Sequence, residues 1–148
     1  MEESKQKRYN KLYMDLAERI AKMSYAKRLQ VGSVLVKNDS IISYGWNGTP
    51  SGFDNLCEEI IEYHEDGGVV TITKSEVLHS EMNCLAKVAR STNSAEGADM
   101  FITHSPCMEC AKLIYQAGIK SIYYRTIYRD DTGLKFLNKC NVPTIKIE

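Results

Sequence analysis

The chain has 148 residues, of which 43% are hydrophobic and 26% are charged, and its formal net charge is +0. A chain of this length can bury the core of one ordinary domain, so we expect a single domain over residues 1–148. The charge balance argues against a protein that grips long nucleic acid, because such proteins usually carry a clear basic surplus.

The sequence also argues against a membrane protein and against a disulfide-bonded one. No apolar run approaches the ~18 residues of a membrane span, and the polar N-terminus lacks the apolar segment of a signal peptide. We therefore expect a cytoplasmic protein with no membrane partner. Five cysteines without a secretory signal argue against a disulfide framework. The thiols are then expected to fill the core, to act in catalysis or to bind a metal.

The first half of the chain predicts a helix, a β-hairpin and an irregular insertion. Apolar residues recur at helical spacing over Tyr9–Met23, which predicts an amphipathic helix. Two strands are expected on either side of a tight turn at Lys37–Ser40, because Asn and Asp favour turns. Residues 54–76 have a less regular pattern with one strand-like run, VVTIT, and we interpret them as an insertion or lid. The apolar residues of the predicted first helix are Leu12, Leu16, Ile20 and Met23.

In the second half, helices alternate with short apolar strands. A helix is expected from Leu78, with an apolar stripe that also contains Met82, Leu85 and Val88. A second helix should end at Gly118, because glycine commonly terminates helices. The alternation predicts an α/β layer fold with about five strands, four helices and helices on both faces of the sheet. The remaining predicted elements are strands at 98–104, 119–126 and 141–147 and a helix at 131–139.

The stretch PCMEC places two cysteines three residues apart directly after a proline. A CxxC pair by itself fits a redox pair, half of a zinc ribbon or coincidence. Pro106 suits the opening of a helix, and residues three apart on a helix share one face, so Cys107 and Cys110 can reach one ion. The positive end of the helix dipole favours thiolate over thiol at this position.

The most plausible third ligand is His79, which also stands at the predicted start of a helix. Two thiolates and one imidazole leave the fourth tetrahedral position of zinc free for water, which is typical of a catalytic site. Glu81, two residues after His79, is placed to move protons in such a site. Without that context, a carboxylate stabilised by the helix dipole is the better account of Glu81.

The two motifs together resemble the signature of the zinc-dependent cytidine and deoxycytidylate (dCMP) deaminases. H-x-E is present as His79-Ser80-Glu81, and P-C-x-x-C begins at Pro106. The stretches QVGSVLV, GWNGTPSG, EVLHSEMNCL and CAKLIYQAGIKSIYY are similar to dCMP deaminases, including small ones encoded by bacteriophages. The resemblance extends over about residues 30–128 and is weakest in the insertion. The usual family motif has alanine where Ser80 stands, and His104 has no role in the motif.

The resemblance implies a cytidine-deaminase-like three-layer fold with a mixed five-stranded sheet. It further implies hydrolysis of dCMP to dUMP and ammonia for thymidylate synthesis, with one catalytic Zn2+ per subunit and Glu81 as general base and then general acid. Asn47 is expected to bind the sugar, Tyr128 to stack on the pyrimidine and Ser105 to accept from the cytosine amine. Asn47 also fits a turn residue, and Tyr128 fits an ordinary core tyrosine. A virus-encoded member would act in the host cytoplasm.

Phosphate recognition, regulation and assembly are the remaining expectations. Ser24, Lys27 and Arg28, between the first helix and first strand, are candidates for the 5′-phosphate, although they also fit solvated surface residues. By resemblance, regulatory triphosphates with Mg2+ bind near GWNG, with dCTP activating and dTTP inhibiting, and the subunits form homohexamers. The predicted regulatory residues are Gly45, Trp46, Asn47 and Gly48.

Two other readings of the same residues remain open. One is a different zinc deaminase that acts on cytidine, cytosine or tRNA adenosine, although the charge balance disfavours tRNA. The other is a non-catalytic zinc module with four ligands, in which Cys57, Cys84 or His64 completes the site. A closed site of that kind would leave Glu81 without a task.

Overall fold

The computed structural model describes residues 4–148, and this part of the chain forms a five-stranded sheet, a separate two-stranded hairpin and four helices. No helix in this range is long and apolar enough to cross a membrane. The helices are α1 (Lys5–Ala21), α2 (Ser80–Ala89), α3 (Met108–Gln116) and α4 (Thr132–Lys139). The strands are β1 (Gly32–Lys37), β2 (Ser40–Trp46), β3 (Glu58–Tyr63), β4 (Val69–Thr73), β5 (Asp99–His104), β6 (Ser121–Thr126) and β7 (Thr144–Lys146).

The main sheet is mixed, with the strand order β2-β1-β5-β6-β7. Strand β1 is antiparallel to both neighbours, whereas β5, β6 and β7 are parallel to one another. The predicted turn between β1 and β2 is confirmed: Asn38 and Asp39 have φ angles of 51° and 59°. Positive φ at both central residues is typical of the type I′ turn, whose twist matches that of the flanking strands.

Helices cover both faces of this sheet, as the sequence predicted. Val34 and Phe101 point to the face covered by α1, where they pack with Met14. Leu35 and Met100 point to the opposite face. The buried residues that α2, α3 and α4 contribute to that second core are Cys84, Val88, Ala111, Ile114 and Leu137. The sheet therefore forms the middle layer of three.

Helix α1 exists as predicted, but it begins earlier, and of the predicted stripe only Leu16 and Ile20 pack against the core. It starts after Ser4, whose side chain accepts the N–H of Lys7 at 3.1 Å. The predicted stripe residues Leu12 and Met23 are 47% and 48% exposed. Close approach to the sheet decides the face, because a Cβ atom on Gly32 would lie 2.2 Å from the carbonyl oxygen of Ala17. The fully buried residues of α1 are Tyr13, Met14, Ala17 and Ala21.

Helix α2 also differs from the predicted pattern at its start. Leu78 lies outside the helix in an isolated bridge with Gly48, and the helix begins at Ser80 with His79 as its N-cap. Its buried residues include the polar Ser80 and Glu81 instead of Leu78, Met82 and Leu85. The first turn of α2 therefore presents polar groups to the protein interior.

The insertion at 54–76 contains a hairpin of β3 and β4, which pair with each other and not with the main sheet. The predicted strand-like run VVTIT is β4. Strand β3, EEIIEY, was not predicted, because nearly all of its residues are exposed and it lacks the alternation of a half-buried strand. At its base the hairpin is joined by a hydrogen bond from Lys74 N–H to the Cys57 carbonyl, at 2.8 Å.

Candidate active site

The three predicted metal ligands meet at the N-termini of two helices. His79 is the N-cap of α2, Cys107 is the N-cap of α3, and Cys110 lies in the first turn of α3. The His79 Nδ1 atom lies 3.5 Å from the Cys107 sulfur and 3.3 Å from the Cys110 sulfur. All three possible ligand atoms lie within 4.8 Å of one another. Neither N-cap side chain forms a capping hydrogen bond, so both are free to bind an ion.

The electrostatics of this trio fit a divalent cation. The pKa of Cys107 is lowered to about 4, and the largest cause is a hydrogen bond that its sulfur accepts from the Cys110 thiol. The pKa of Cys110 is raised, because its proton is shared with the Cys107 thiolate and the group is buried. A cation that replaced this shared proton would favour a second thiolate here. Two sulfurs and an imidazole nitrogen are ligands that zinc favours.

No fourth histidine or cysteine belongs to this group among the described residues. The potential ligand cluster consists of His79 and the cysteine pair, without Cys57, Cys84 or His64. Cys84 is instead packed in the core, where burial raises its pKa to about 11. The geometry thus favours an open three-ligand site over the closed four-ligand one.

Glu81 lies beside the trio, with only 4% of its surface exposed. Its Oε1 atom accepts a hydrogen bond from the Ser80 hydroxyl at 2.6 Å. Burial raises the pKa of Glu81, and the bond from Ser80 partly opposes this shift. A buried carboxyl with a raised pKa suits a group that must take up and release a proton near neutral pH.

A cavity of about 420 Å³ opens over these residues. It lies where β5 and β6 end, since His104 and Thr126 both line it. Ligands commonly bind at the carboxyl ends of parallel strands in α/β proteins. The cavity brings together most of the predicted site residues, namely Arg28, Asn47, His79, Glu81, Ser105, Cys107 and Tyr128.

Asn47 and Ser105 shape the cavity wall through bonds to the backbone. The Asn47 side chain accepts the N–H of Val31 at 2.9 Å and donates to the Leu29 carbonyl at 2.8 Å. The Ser105 hydroxyl accepts the N–H of Tyr128 at 2.8 Å, which holds Tyr128 against the cavity. Both residues therefore fix neighbouring loops in addition to lining the space.

Of the three residues predicted to bind phosphate, only Arg28 reaches the cavity. Ser24 is buried, and its hydroxyl donates to the Asn47 carbonyl at 2.7 Å and accepts the N–H of Ala26 at 3.1 Å. Lys27 is exposed and does not line the cavity. The Ser24 hydroxyl is thus engaged within the fold, and a phosphate role for Ser24 and Lys27 stays a prediction.

The four residues predicted to bind a regulatory nucleotide are spread over different environments. Gly45 is buried under α2, where a Cβ atom would lie 2.4 Å from the Ser80 carbonyl oxygen. Trp46 stacks with Tyr44, at 6.2 Å between ring centroids. Asn47 alone of the four lines the cavity, and Gly48 forms the bridge to Leu78. Gly45 therefore has a packing role that a bound nucleotide does not explain.

Sequence reasoning missed several cavity residues. Arg129 lines the cavity, with its Cζ atom 5.4 Å from the centroid of the Tyr128 ring. Glu58, in the insertion, also lines it. His104 lines it too, and its Nδ1 atom lies 2.9 Å from the Thr103 hydroxyl. The one available signal was their place in the chain, since Arg129 follows Tyr128 and His104 precedes Ser105.

Comparison with known proteins agrees with this geometry. Residues 7–126 match the family model described as the cytidine and deoxycytidylate deaminase zinc-binding region. The deoxycytidylate deaminase of Enterobacteria phage T4 is 30% identical, with 78% of this chain and 76% of the relative covered. ComE operon protein 2 of Bacillus subtilis is 32% identical over 82% of this chain and 61% of the relative. This chain thus spans less than two thirds of the B. subtilis protein.

A solved structure is similar over the whole chain. The dCMP deaminase from the cyanophage S-TIM5, in complex with dCMP and dUMP, superposes with a TM-score of 0.84 and is 43% identical. The match covers 99% of this chain and 100% of the cyanophage chain. Because the family model matches most of the chain and both motifs meet in one cavity, the chain belongs to the cytidine and deoxycytidylate deaminase family.

Proposed function

We propose that the protein deaminates dCMP by hydrolysis, forming dUMP and ammonia in a zinc-dependent reaction. The observation that carries this proposal is the convergence of His79, Cys107 and Cys110 beside the buried Glu81, at a cavity that His79, Cys107 and Glu81 line. The similar cyanophage enzyme, whose structure contains dCMP and dUMP, supports the choice of substrate.

His79, Cys107 and Cys110 are the residues that would hold the zinc ion. Zinc bound there would supply Lewis-acid chemistry that lowers the pKa of water towards ~7. The imidazole of His79 and the two cysteine sulfurs, at the N-termini of α2 and α3, would hold the ion.

Glu81 moves the protons of the reaction. Its carboxylate takes a proton from the attacking water as general base, and its acid form then donates to N3 of the cytosine ring. After the water oxygen has bonded to C4, Glu81 takes the remaining proton from this C4 hydroxyl and passes it to the amine, which leaves as ammonia as the C4–N bond breaks and the C4 carbonyl of dUMP forms. Burial raises the pKa of this carboxyl, a direction that favours proton uptake by the general base.

The cavity wall supplies substrate contacts. Asn47, Tyr128 and Ser105 all line the cavity, which supports the proposal that Asn47 binds the sugar, Tyr128 stacks on the pyrimidine and Ser105 accepts from the amine. Stacking on an aromatic ring suits a planar base. Arg28 is the member of the 24–28 loop that can contribute to binding the 5′-phosphate.

Regulation and assembly form a further part of the proposal. We infer that Mg2+-bound dCTP activates and dTTP inhibits the enzyme near residues 45–48, that the subunits form a homohexamer, and that the enzyme acts in the cytoplasm. Asn47 supports a link between regulation and catalysis, because it belongs to that segment and also lines the cavity. A nucleotide that moved this side chain would change the substrate site directly.

A deamination assay with zinc-loaded protein tests the function. We expect turnover of dCMP in preference to cytidine, with ammonia and dUMP as products, and a change in rate when Mg-dCTP or Mg-dTTP is added. Turnover of cytidine alone would overturn the nucleotide substrate. Absence of turnover with zinc bound in equal molar amount would support a non-catalytic site.

Glu81→Gln tests the assigned mechanism. We expect a loss of at least ~10²-fold in kcat with zinc still bound, because general acid–base catalysis typically contributes 10²–10⁴-fold. Glu96→Gln makes the same chemical change at an exposed residue outside the cavity and should leave kcat unchanged. Full activity of Glu81→Gln would contradict the mechanism.

A further inference from the structure

His104 is a cavity residue without a role in the proposed reaction. It ends β5, is half-buried and lines the same cavity as Glu81. Its Nδ1 atom lies 2.9 Å from the Thr103 hydroxyl, and its Nε2 atom forms no hydrogen bond within residues 4–148. In this range Arg125 Nε is the only enclosed side-chain nitrogen or oxygen without a partner. The Nε2 atom is therefore open to solvent, on a side chain that lines the cavity.

Thr103 determines which ring nitrogen of His104 carries the proton. Burial lowers the pKa of His104, which favours the neutral ring with a proton on one nitrogen only. The Thr103 side chain is fully buried, and its oxygen already accepts the N–H of Gly32 at 3.2 Å. Within residues 4–148 the acceptor for its hydroxyl hydrogen is His104 Nδ1.

This hydrogen bond turns His104 into a donor towards the cavity. If Nδ1 carried the proton, the buried Thr103 hydroxyl hydrogen would have no acceptor, and its desolvation would be uncompensated. With Thr103 as donor, the proton lies on Nε2. His104 thus presents an uncharged N–H group to a ligand.

His104 and Asn47 flank the same segment of the cavity wall. Ser33 pairs with Ile102 in an antiparallel register, which continued by two residues places Val31 across from His104. The Asn47 side-chain oxygen accepts the N–H of Val31 at 2.9 Å. Val31, Asn47 and His104 all line the cavity. A ligand group bound by Asn47 in the cavity therefore lies on the side where His104 offers its donor.

A sugar hydroxyl fits this pair of groups, because it both donates and accepts hydrogen bonds. The Asn47 oxygen keeps one lone pair after accepting the Val31 N–H, so it can accept the hydroxyl hydrogen. The hydroxyl oxygen then needs a donor. In a 2′-deoxynucleoside 5′-monophosphate, the 3′-hydroxyl is the one free hydroxyl of the sugar.

We propose that the Nε2–H group of His104 donates a hydrogen bond to the 3′-hydroxyl oxygen of the substrate and so selects nucleotides that carry this hydroxyl. Thr103 is the positioning residue that holds the His104 proton on Nε2. The proposal rests on the proposed function of the cavity.

Two nucleotides that differ only in the 3′-hydroxyl test the contact. Neither dUMP nor 2′,3′-dideoxyuridine 5′-monophosphate has an amine to lose, so calorimetry with zinc-loaded protein measures binding alone. We expect His104→Leu to weaken dUMP binding by roughly 3- to 10-fold, the range of a net hydrogen bond between uncharged groups. Binding of the dideoxy nucleotide should change by less than about twofold. His104→Gln should recover part of the loss, because its amide can donate.

His64→Leu is the matched control. It makes the same chemical change at an exposed residue in the turn between β3 and β4, outside the cavity, and should leave both affinities unchanged. Equal weakening of both nucleotides in His104→Leu, or unchanged binding of dUMP, would overturn the contact.

Nitrogen NMR tests the positioning role of Thr103. The chain has three histidines, so the ring signals of His104 are identified by their loss in His104→Gln. We expect the proton on Nε2 in wild type and a mixture of both neutral forms in Thr103→Val, which replaces the hydroxyl by a methyl group. That variant should also lose part of the preference for dUMP over the dideoxy nucleotide. A wild-type ring protonated on Nδ1 would overturn the proposed donor.

The binding and NMR measurements do not depend on turnover. Failure to deaminate dCMP, with the His104-dependent preference for dUMP intact, would reject the catalytic function alone. Turnover of dCMP without such a preference would reject the role of His104 alone.

Discussion

The hydrogen bond from Ser80 to Glu81 joins two buried side chains next to the ligand His79. Burial raises the pKa of Glu81 because it disfavours the charged carboxylate, and the bond from Ser80 lowers the pKa because it favours that same form. Ser80 therefore partly offsets the cost of placing a charge in the protein interior. It also fixes the rotamer from which Glu81 reaches the cavity.

Ser80→Ala should shift the acid limb of the kcat/KM profile to higher pH. Removal of the bond raises the pKa of Glu81 further, so a smaller fraction of the carboxylate is available as base at any given acidic pH. At acidic pH the kcat/KM of Ser80→Ala should be lower than that of wild type by on the order of tenfold, the effect of losing a hydrogen bond to a charged group. At higher pH the two kcat/KM values should be equal. A pH–rate profile with dCMP measures it.

Ser51→Ala is the matched control, because Ser51 is exposed and lies outside the cavity lining. It should reproduce the wild-type profile. An acid limb that stays in place in Ser80→Ala, or moves to lower pH, would show that the hydroxyl does not stabilise the ionised carboxylate.

Prediction from sequence worked at residues whose spacing is itself the chemical signal. His79, Glu81 and the cysteine pair were expected to meet, and the structure brings them together. Ser24 was assigned to phosphate, yet its hydroxyl bonds the carbonyl of Asn47, 23 residues away. Arg129 was not assigned at all. Polar residues that act through such distant contacts leave no local pattern in the sequence.

The contact between α2 and β2 determines where the N-terminus of α2 lies. Gly45 in β2 allows it, because a Cβ atom there would lie 2.4 Å from the Ser80 carbonyl oxygen and 2.7 Å from the Cys84 nitrogen. Both atoms belong to the helix backbone and cannot rotate away. A side chain at this position must therefore push the first turn of α2, with His79 and Glu81, away from the sheet.

Gly45→Ala is expected to reduce the free energy of unfolding by about 1–3 kcal/mol, the usual cost of overpacking. It should also reduce zinc affinity, because His79 moves relative to the cysteines. Denaturant unfolding of the zinc-loaded protein measures the first effect, and competition with a chelator measures the second.

Gly48→Ala adds the same methyl group three residues further on. Its nearest neighbour would be a Trp46 side-chain carbon at 4.0 Å, so the free energy of unfolding should change by about 0.5 kcal/mol or less. Equal effects of the two substitutions would show that the close contact with α2 is not what requires glycine at position 45.

Element prediction succeeded where pattern and burial coincide. The β1–β2 turn, the positive-φ Gly118 after α3 and the strands of the main sheet were all expected. The buried face of α1 was predicted in part: Leu16 and Ile20 pack against the core, but Leu12 stays exposed because small alanines allow close packing on the sheet. Strand β3 was missed, because hydrogen bonding to β4 and not burial holds it.

At the scale of the whole molecule, the metal cluster joins segments that are distant in sequence. His79 belongs to α2 and the two cysteines to α3, and both helices pack on the same face of the sheet. An ion bound by all three holds the two N-termini together in the folded state only. The unfolded chain has no such preformed site, so the free energy of zinc binding adds to the free energy of folding.

Removal of zinc should therefore lower the Tm of the protein as well as abolish activity. At a free zinc concentration of 100 times Kd, the ion stabilises the native state by about 2.7 kcal/mol. For a chain of this size this corresponds to a decrease in Tm of roughly 5–10 °C on chelation. Thermal unfolding with and without a chelator measures the decrease, and added zinc should reverse it.

Two cysteine variants determine whether this stabilisation comes from the proposed cluster. Cys107→Ser should have a low Tm that a chelator does not reduce further, because the trio has lost one thiolate. Cys140→Ser changes a half-buried cysteine at the C-cap of α4, outside the cluster, and should retain the full response to chelation. If Cys107→Ser kept a wild-type response, zinc would be bound elsewhere and the open three-ligand site would be wrong.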